Sequence, residues 1–154
     1  MMLEVGDAIP AVTLKDMEGV DFALDHYSGK PLVVYFYPKA DTPGCTNEAK
    51  DFTALADEYA AAGVPVIGIS KDKPAKLKKF SEKYGLSVIL ASDEPGDACA
   101  AFGTWVEKSM YGRTYMGIER ATFLFGADGM VQRVWPKVKV KGHAAEVLEA
   151  ARAL

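Results

Sequence analysis

The sequence predicts an α/β protein in which helices flank a central mixed β-sheet. Apolar, β-branched runs of strand length alternate with amphipathic stretches of helix length over residues 32–92. An Asp-Gly pair between two later apolar runs predicts a hairpin, and a helical stretch closes the chain. Strand–helix–strand order gives parallel strands and the hairpin adds antiparallel ones, so the predicted sheet is mixed.

The first part of the chain predicts a hairpin, a central strand and a helix. Alternating apolar residues around a turn predict short strands in an N-terminal β-hairpin within residues 3–24. Residues 32–37 are continuously apolar, as in a strand that is buried on both faces. Thr42 as the cap, Pro43 in the first position and Gly63 at the end predict one helix after that strand.

The remaining elements follow from the same patterns. In chain order they are a strand at 64–70, a helix at 73–84, a strand at 87–92, a short helix at 97–102, hairpin strands at 121–125 and 130–135, and a helix at 144–153. Active sites in such sheets usually lie at the carboxyl ends of the parallel strands. Cys45 follows one of these ends, which makes it the first candidate for chemistry.

Length and composition exclude several classes of protein. A chain of 154 residues favours one domain, over residues 1–154. The net charge of −3 gives no basic excess for a nucleic-acid partner. No signal peptide is recognisable at the start, and no apolar run reaches the roughly 18 residues of a membrane span. Two cysteines are too few for a disulfide framework, so we expect a cytoplasmic protein.

Cys45 lies near the third position of the helix that Thr42 would cap. The backbone N–H groups of a first helical turn have no partners within the helix, and the helix dipole is positive there. Such a place stabilises a thiolate, which is the nucleophilic form of cysteine. The Pro-Gly pair before Cys45 also lets the backbone approach a ligand closely. These features favour a reactive thiol over a small core residue.

Several other cysteine chemistries do not fit the sequence. A thioredoxin-type dithiol needs a C-x-x-C pair, which the chain lacks. Zinc needs four ligands, but the chain offers only Cys45, Cys99, His26 and His143, widely scattered. We expect both histidines to be ordinary surface residues, so no histidine base is predicted for Cys45. The remaining hypothesis is a thiolate activated by helix, hydroxyl and arginine, with no metal and no cofactor.

At this point the motifs resemble those of a known family. Pro38, Thr42 and Cys45 form the pattern P-x-x-x-T-x-x-C directly after an apolar strand, which resembles the peroxidatic motif of the peroxiredoxins. The segment FYPKADTPGCTNEA is similar to the bacterioferritin-comigratory, or Q-type, branch. The segments EKSMYGRTYMGIERATFLF and VWPKVKVKGHAAEVL are similar to that branch as well. The resemblance implies a thioredoxin-like fold with an N-terminal extension.

The resemblance also implies an activity, which is thiol-dependent reduction of hydrogen peroxide and organic hydroperoxides. Cys45 would be the peroxidatic cysteine and would become a sulfenic acid. Thr42 would act through its hydroxyl, and Arg120 would be the active-site arginine. The expected reductant is a thioredoxin-like protein or another thiol, and the branch is mostly monomeric.

Three further residues are candidates for the substrate pocket. By resemblance, Pro38 would shield the pocket from water, and Gly44 would contribute a backbone N–H group. Glu48 lies one helical turn beyond Cys45. It could orient Arg120, or it could simply favour the helix N-terminus as a carboxylate. The sequence leaves both roles of Glu48 open.

The partner of Cys45 is the point at which the sequence departs from its relatives. Many Q-type members carry a resolving cysteine five residues later, where this chain has Lys50, and others carry it near the region of Phe80 and Ser81. Cys99 is the only other cysteine. It could form an intramolecular disulfide with Cys45, stay inert in the core while an external thiol acts, or pair between subunits.

A second function for the same thiol is a peroxide sensor. A sensor would react once and signal through a protein partner, whereas a peroxidase turns over with a thiol donor. Both need a reactive Cys45, so the sequence alone does not separate them.

Overall fold

The computed structural model describes all 154 residues of the chain, which form nine strands and five α-helices. The strands are β1 (Thr13–Lys15), β2 (Asp21–Ala23), β3 (Leu32–Phe36), β4 (Val66–Ser70), β5 (Ile89–Ser92), β6 (Trp105–Met110), β7 (Arg113–Ile118), β8 (Ala121–Phe125) and β9 (Val131–Trp135). The helices are α1 (Pro43–Ala54), α2 (Ala56–Ala61), α3 (Pro74–Tyr84), α4 (Asp97–Phe102) and α5 (His143–Arg152). None of these helices combines the length and the apolar character that crossing a bilayer requires.

Seven strands form one sheet in the order β2-β1-β5-β4-β3-β8-β9. Strands β3, β4 and β5 are parallel, while β1, β2, β8 and β9 pair antiparallel with their neighbours. The predicted mixed sheet is therefore confirmed, and β1 and β2 form the predicted N-terminal hairpin. All five residues of β3 are buried, as expected for the central strand.

The sheet separates two apolar cores, because successive side chains of a strand point to opposite faces. Val33, Tyr35 and Tyr37 lie in a core with residues of α1, α2, α3 and α5. Val34 and Phe36 lie in the other core, with residues of α4, β1 and the N-terminal segment. Helix α1, which carries Cys45, and the short helix α4 are thus on different faces of the sheet.

The helix after β3 differs from its prediction. Instead of one helix that ends at Gly63, the chain forms α1 and α2, with Leu55 between them in a non-helical conformation (φ −100°, ψ 11°). The apolar stripe continues across this break and reaches Tyr59, whose hydroxyl donates a hydrogen bond to the carbonyl of Ala144 at 2.7 Å. The break leaves α1 packed against α5 and does not affect its N-terminus.

Strands β6 and β7 form a separate two-stranded sheet that the sequence analysis did not predict. Their turn consists of Tyr111 and Gly112, and both residues have positive φ (52° and 77°). Two-residue hairpin turns of this kind usually carry Asn-Gly or Asp-Gly. Because tyrosine occupies the first turn position here, the sequence lacks the residue pair by which such a hairpin is usually recognised. The hairpin matters because β7 leads directly into Arg120.

Candidate active site

Cys45 is the third residue of α1, at the carboxyl end of β3. Pro43 occupies the first helical position, and no side chain caps the helix N-terminus. The first N–H groups of the helix are therefore free for another acceptor. Cys45 itself is 2% exposed and packs in the core that contains Tyr35 and Ala49. Its thiol is held at the positive end of the α1 dipole, as the sequence predicts.

Arg120 approaches Cys45 from the segment between β7 and β8. Its Nη2 lies 3.3 Å from Cys45 Sγ, close enough for an N–H donor to contact sulfur. The carbonyl of Arg120 accepts a hydrogen bond from the Val138 N–H at 2.9 Å, which fixes the backbone at this position. The Arg120 side chain is 18% exposed, so part of it remains in contact with solvent. The structure thus brings together the predicted thiol and the predicted arginine.

Glu48 contacts the other arm of the same guanidinium. Arg120 Nη1 donates to Glu48 Oε1 at 2.7 Å, and the Glu48 side chain is 1% exposed. Burial raises the pKa of Glu48 to about 7, and the charge of Arg120 opposes this rise. The sequence leaves open whether Glu48 orients Arg120 or only favours the helix N-terminus as a carboxylate. The hydrogen bond between the two side chains is the contact that orienting Arg120 would require.

Gly44 leaves room for the guanidinium. A Cβ atom at this position would lie 3.1 Å from Arg120 Nη2, closer than most contacts of a real Cβ atom. Gly44 lies in α1, where φ is negative, so its importance is the space beside the backbone rather than an unusual conformation. The Pro-Gly pair therefore allows close approach to the backbone, as predicted. The group that approaches is the Arg120 side chain and not a ligand.

Thr42 and Pro38 differ in part from their expected roles. Thr42 is the N-cap residue, yet its hydroxyl donates to the carbonyl of Lys39 at 2.8 Å and does not accept from a helix N–H. The predicted side-chain cap is wrong, because this turn places the Lys39 carbonyl within reach of the hydroxyl. Pro38 is exposed and lines a cavity of about 380 Å³ together with Trp105 and Ile118.

Cys99 lies on the opposite face of the sheet from Cys45. It is fully buried in α4, in the core that includes Phe36 and Phe102. Its backbone N–H donates to Asp93 Oδ2 at 2.8 Å. Burial and the neighbouring Asp93 carboxyl raise the pKa of the Cys99 thiol to about 12. Both cysteines are free thiols in this structure.

His143 is buried, so its predicted surface location is wrong. It is 5% exposed, and its Nε2 lies 2.8 Å from the hydroxyl of the buried Thr122. Its ring packs edge-on against Phe52 and Trp135, which are remote in sequence and could not be recognised as neighbours. Burial lowers the pKa of His143 to about 4. His26, by contrast, is exposed, as predicted.

Two buried tyrosines complete the surroundings of the site. The hydroxyl groups of Tyr35 and Tyr37 have no hydrogen-bond partner in the protein. Burial raises the pKa of both, so both are neutral. No group of three or more His, Cys, Asp or Glu side chains is arranged to hold a metal ion. The ionisable groups that meet at the site are one thiol, one guanidinium and one carboxyl group.

Comparisons with known proteins show the family to which the chain belongs. The family model described as "AhpC/TSA family" matches residues 5–134. "Peroxiredoxin Bcp" of Escherichia coli (strain K12) is 46% identical, covering 95% of this chain and 94% of its own. "Peroxiredoxin Bcp" of Bacillus subtilis (strain 168) is 43% identical, covering 97% and 95%.

A solved structure of the Xanthomonas campestris bacterioferritin comigratory protein superposes with a TM-score of 0.88 and 43% identity, covering 96% of this chain and 98% of that one. Its published description concerns alkyl peroxide reduction activity. The thioredoxin-like fold implied by the sequence motifs is confirmed by this likeness. This chain belongs to the AhpC/TSA family and is a peroxiredoxin of the bacterioferritin-comigratory, or Q-type, branch.

Proposed function

We propose that Cys45 is the peroxide-reducing thiol of this thiol-dependent peroxidase and that Arg120 and the first turn of α1 assist it. The observation that carries the proposal is the 3.3 Å contact between Arg120 Nη2 and Cys45 Sγ at a helix N-terminus. A fixed cation and free N–H groups favour the thiolate and also favour negative charge on an oxygen nearby. The substrates are hydrogen peroxide and organic hydroperoxides, in line with the alkyl peroxide activity named for the Xanthomonas campestris relative.

The reaction is a displacement at oxygen. The Cys45 thiolate attacks the terminal oxygen of ROOH, an S–O bond forms, and the O–O bond breaks. The bond's electron pair leaves with RO⁻, and Cys45 becomes a sulfenic acid. Because negative charge moves onto the leaving oxygen, donors fixed near it stabilise the transition state more than the bound substrate. Arg120 suits this role since its guanidinium stays charged and holds its donors in a rigid plane.

Thr42 orients the peroxide in this scheme. Its hydroxyl proton is used by the Lys39 carbonyl at 2.8 Å, so its oxygen is left as an acceptor. An acceptor at this position can take a hydrogen bond from the peroxide O–H group. Pro38 would shield this site from water, as the family resemblance implies, and Gly44 leaves room for the guanidinium beside the sulfur.

Regeneration uses an external thiol in our proposal. A thiol attacks the sulfenic sulfur and expels water, and a second thiol releases Cys45 from the resulting mixed disulfide. A disulfide with Cys99 would need the two Cα atoms within about 7 Å. The sheet between the two cores opposes this. A thioredoxin-like protein or a small thiol therefore acts directly on Cys45. We place this reaction in a reducing compartment such as the cytoplasm. The enzyme acts as a monomer in this proposal.

The test is turnover of peroxide by wild type, Cys45→Ser and Cys99→Ser with a dithiol protein or a small thiol as donor. We expect Cys45→Ser to lose activity and Cys99→Ser to stay within about 2-fold of wild type. Catalytic turnover also separates a peroxidase from a sensor that reacts once. Loss of turnover in Cys99→Ser, with folding intact, would contradict regeneration by an external thiol.

A further inference from the structure

One guanidinium serves two acidic groups in the buried site. Arg120 donates to Glu48 through Nη1 at 2.7 Å and to Cys45 through Nη2 at 3.3 Å. Glu48 is 1% exposed and Cys45 is 2% exposed, so water screens neither group well. If both were ionised, two negative charges would share one positive charge in a poorly solvated pocket. One additional proton would remove that imbalance.

The second carboxyl oxygen of Glu48 indicates where that proton is held. Glu48 Oε2 is buried and has no hydrogen-bond partner. A bare carboxylate oxygen in the protein interior is costly, and a protonated carboxyl group is less so. In the ion pair with Arg120, only Oε1 is used. The contact thus leaves Oε2 free to carry a proton while Oε1 keeps its bond to the guanidinium.

The other titratable groups around Glu48 supply no second cation. Asp51, on the same helix, is a further negative charge and opposes ionisation of Glu48. Tyr35, in β3, and Tyr37, directly after β3, lie beside it and are neutral. His143, at the start of α5, is buried and has its pKa lowered to about 4, so it is uncharged near neutral pH. Arg120 alone must therefore balance the thiolate and the carboxyl group.

We propose that Glu48 holds a proton while Cys45 is a thiolate and gives that proton to the leaving oxygen when Cys45 is oxidised. This inference rests on the proposed role of Cys45. The step balances as Cys45-S⁻ plus ROOH plus Glu48-COOH giving Cys45-SOH plus ROH plus Glu48-COO⁻. The leaving oxygen would lie beside the Arg120 guanidinium, which also contacts Glu48. The proton on Glu48 is therefore separated from the leaving oxygen by about the width of one guanidinium group. Reduction of the sulfenic acid to the thiol, followed by ionisation, returns the proton to Glu48.

Infrared difference spectroscopy tests where the proton is. We expect the reduced-minus-oxidised spectrum of wild type to contain a protonated-carboxyl C=O band, which shifts when glutamate is ¹³C-labelled at the side-chain carboxyl. Glu48→Gln keeps an oxygen acceptor for Arg120 and should lack the band. Glu58→Gln removes an exposed carboxyl group of α2 and should keep it. A wild-type spectrum without a glutamate-sensitive band would overturn the proposal, and this result needs no variant to fold.

Proton uptake during oxidation gives a second readout. In weakly buffered solution with a pH indicator, wild type should take up no proton per Cys45 oxidised, because Glu48 supplies it. Glu48→Gln should take up one proton from the solution. Equal uptake by both proteins would overturn the proposal, since a residue that only positions Arg120 would not change this count. Mass spectrometry of Cys45 keeps the two ideas apart: an unoxidised Cys45 contradicts the proposed function, whereas an oxidised Cys45 without these signals contradicts only the role of Glu48.

Discussion

Cys45 and Cys99 lie on opposite faces of the seven-stranded sheet, each inside its own apolar core. Because the sheet lies between the two cores, we expect the two Cα atoms to be farther apart than the roughly 7 Å that a disulfide allows. Bringing them together would require α1 or α4 to leave its core. This relationship favours the hypothesis, left open by the sequence, that Cys99 is an inert core residue.

The first prediction concerns the product of a single oxidation. After one equivalent of peroxide, wild type should gain one oxygen atom on Cys45, and the mass should not fall by two hydrogens. Intact mass and peptide mapping under non-reducing conditions measure this. Cys99→Ser is the matched control and should give the same product. A Cys45–Cys99 peptide recovered at high yield would show that the fold opens far more than the two buried cores suggest.

A second prediction uses the space beside Gly44. Gly44→Ala should increase the intrinsic stability of α1 by up to about 1 kcal/mol, since alanine is the better helix former. The new Cβ, at 3.1 Å from Nη2, must displace the Arg120 guanidinium by a few tenths of an ångström. Because catalytic geometry is sensitive to such shifts, the rate of Cys45 oxidation should fall about 3- to 10-fold. Stopped-flow kinetics and thermal unfolding measure the two effects.

Asn47→Ala is the control for this variant. Asn47 is exposed and lies in the same part of α1. Asn47→Ala should raise the stability of α1 without changing the rate of Cys45 oxidation. An unchanged rate in Gly44→Ala would mean that the position of Arg120 tolerates this displacement.

A third prediction follows from the buried imidazole of His143. Its pKa is lowered from 6.5 to about 4, mainly by burial, so the unfolded chain binds a proton at higher pH than the folded one. The stabilising contribution is complete above pH 6.5 and is lost as the pH falls toward 4. At about 1.4 kcal/mol per pKa unit, a lowering of this size limits the loss to roughly 3 to 4 kcal/mol.

Denaturant unfolding of wild type and His143→Gln from neutral to acidic pH measures this dependence. The variant should be less stable at neutral pH, because the contact with Thr122 changes, but its stability should fall less steeply with acid. His26→Gln, at an exposed position, should follow the wild-type curve. If the free energies of unfolding of wild type and His143→Gln fell in parallel with pH, the burial of His143 would not be the cause of the loss of stability in acid.

The sequence predicts the central sheet and the position of Cys45 because both depend on local signals. Continuous apolar runs define β3 and β4, and Thr42-Pro43-Gly44 defines the start of α1. Asp97–Phe102 is predicted with its observed bounds, and in the structure Gly96 and Gly103 lie at its two ends. Arg120 is identified only through the family resemblance, because a single arginine before a strand carries no signal of its own.

The features that the sequence did not predict depend on tertiary contacts. The burial of His143 depends on Phe52 and Trp135, and the pairing of Glu48 with Arg120 joins residues far apart in the chain. The sequence carries no clear signal for the β6–β7 hairpin, because its turn contains tyrosine where asparagine or aspartate is usual. The assignment of the two cysteines to different faces needs the whole sheet topology. Such facts become visible only once the elements are packed.

The central claim is that Arg120, at the N-terminus of α1, makes Cys45 reactive toward peroxide. The most direct measurement is the second-order rate constant for oxidation of Cys45 in Arg120→Met, followed by stopped-flow fluorescence under single-turnover conditions. Arg133→Met is the control, since it removes an arginine that lies at a half-exposed position on β9. The account predicts a fall of about 100-fold or more in Arg120→Met, the size expected for loss of a transition-state donor, and no comparable fall in the control. A rate for Arg120→Met within about 3-fold of wild type would contradict it.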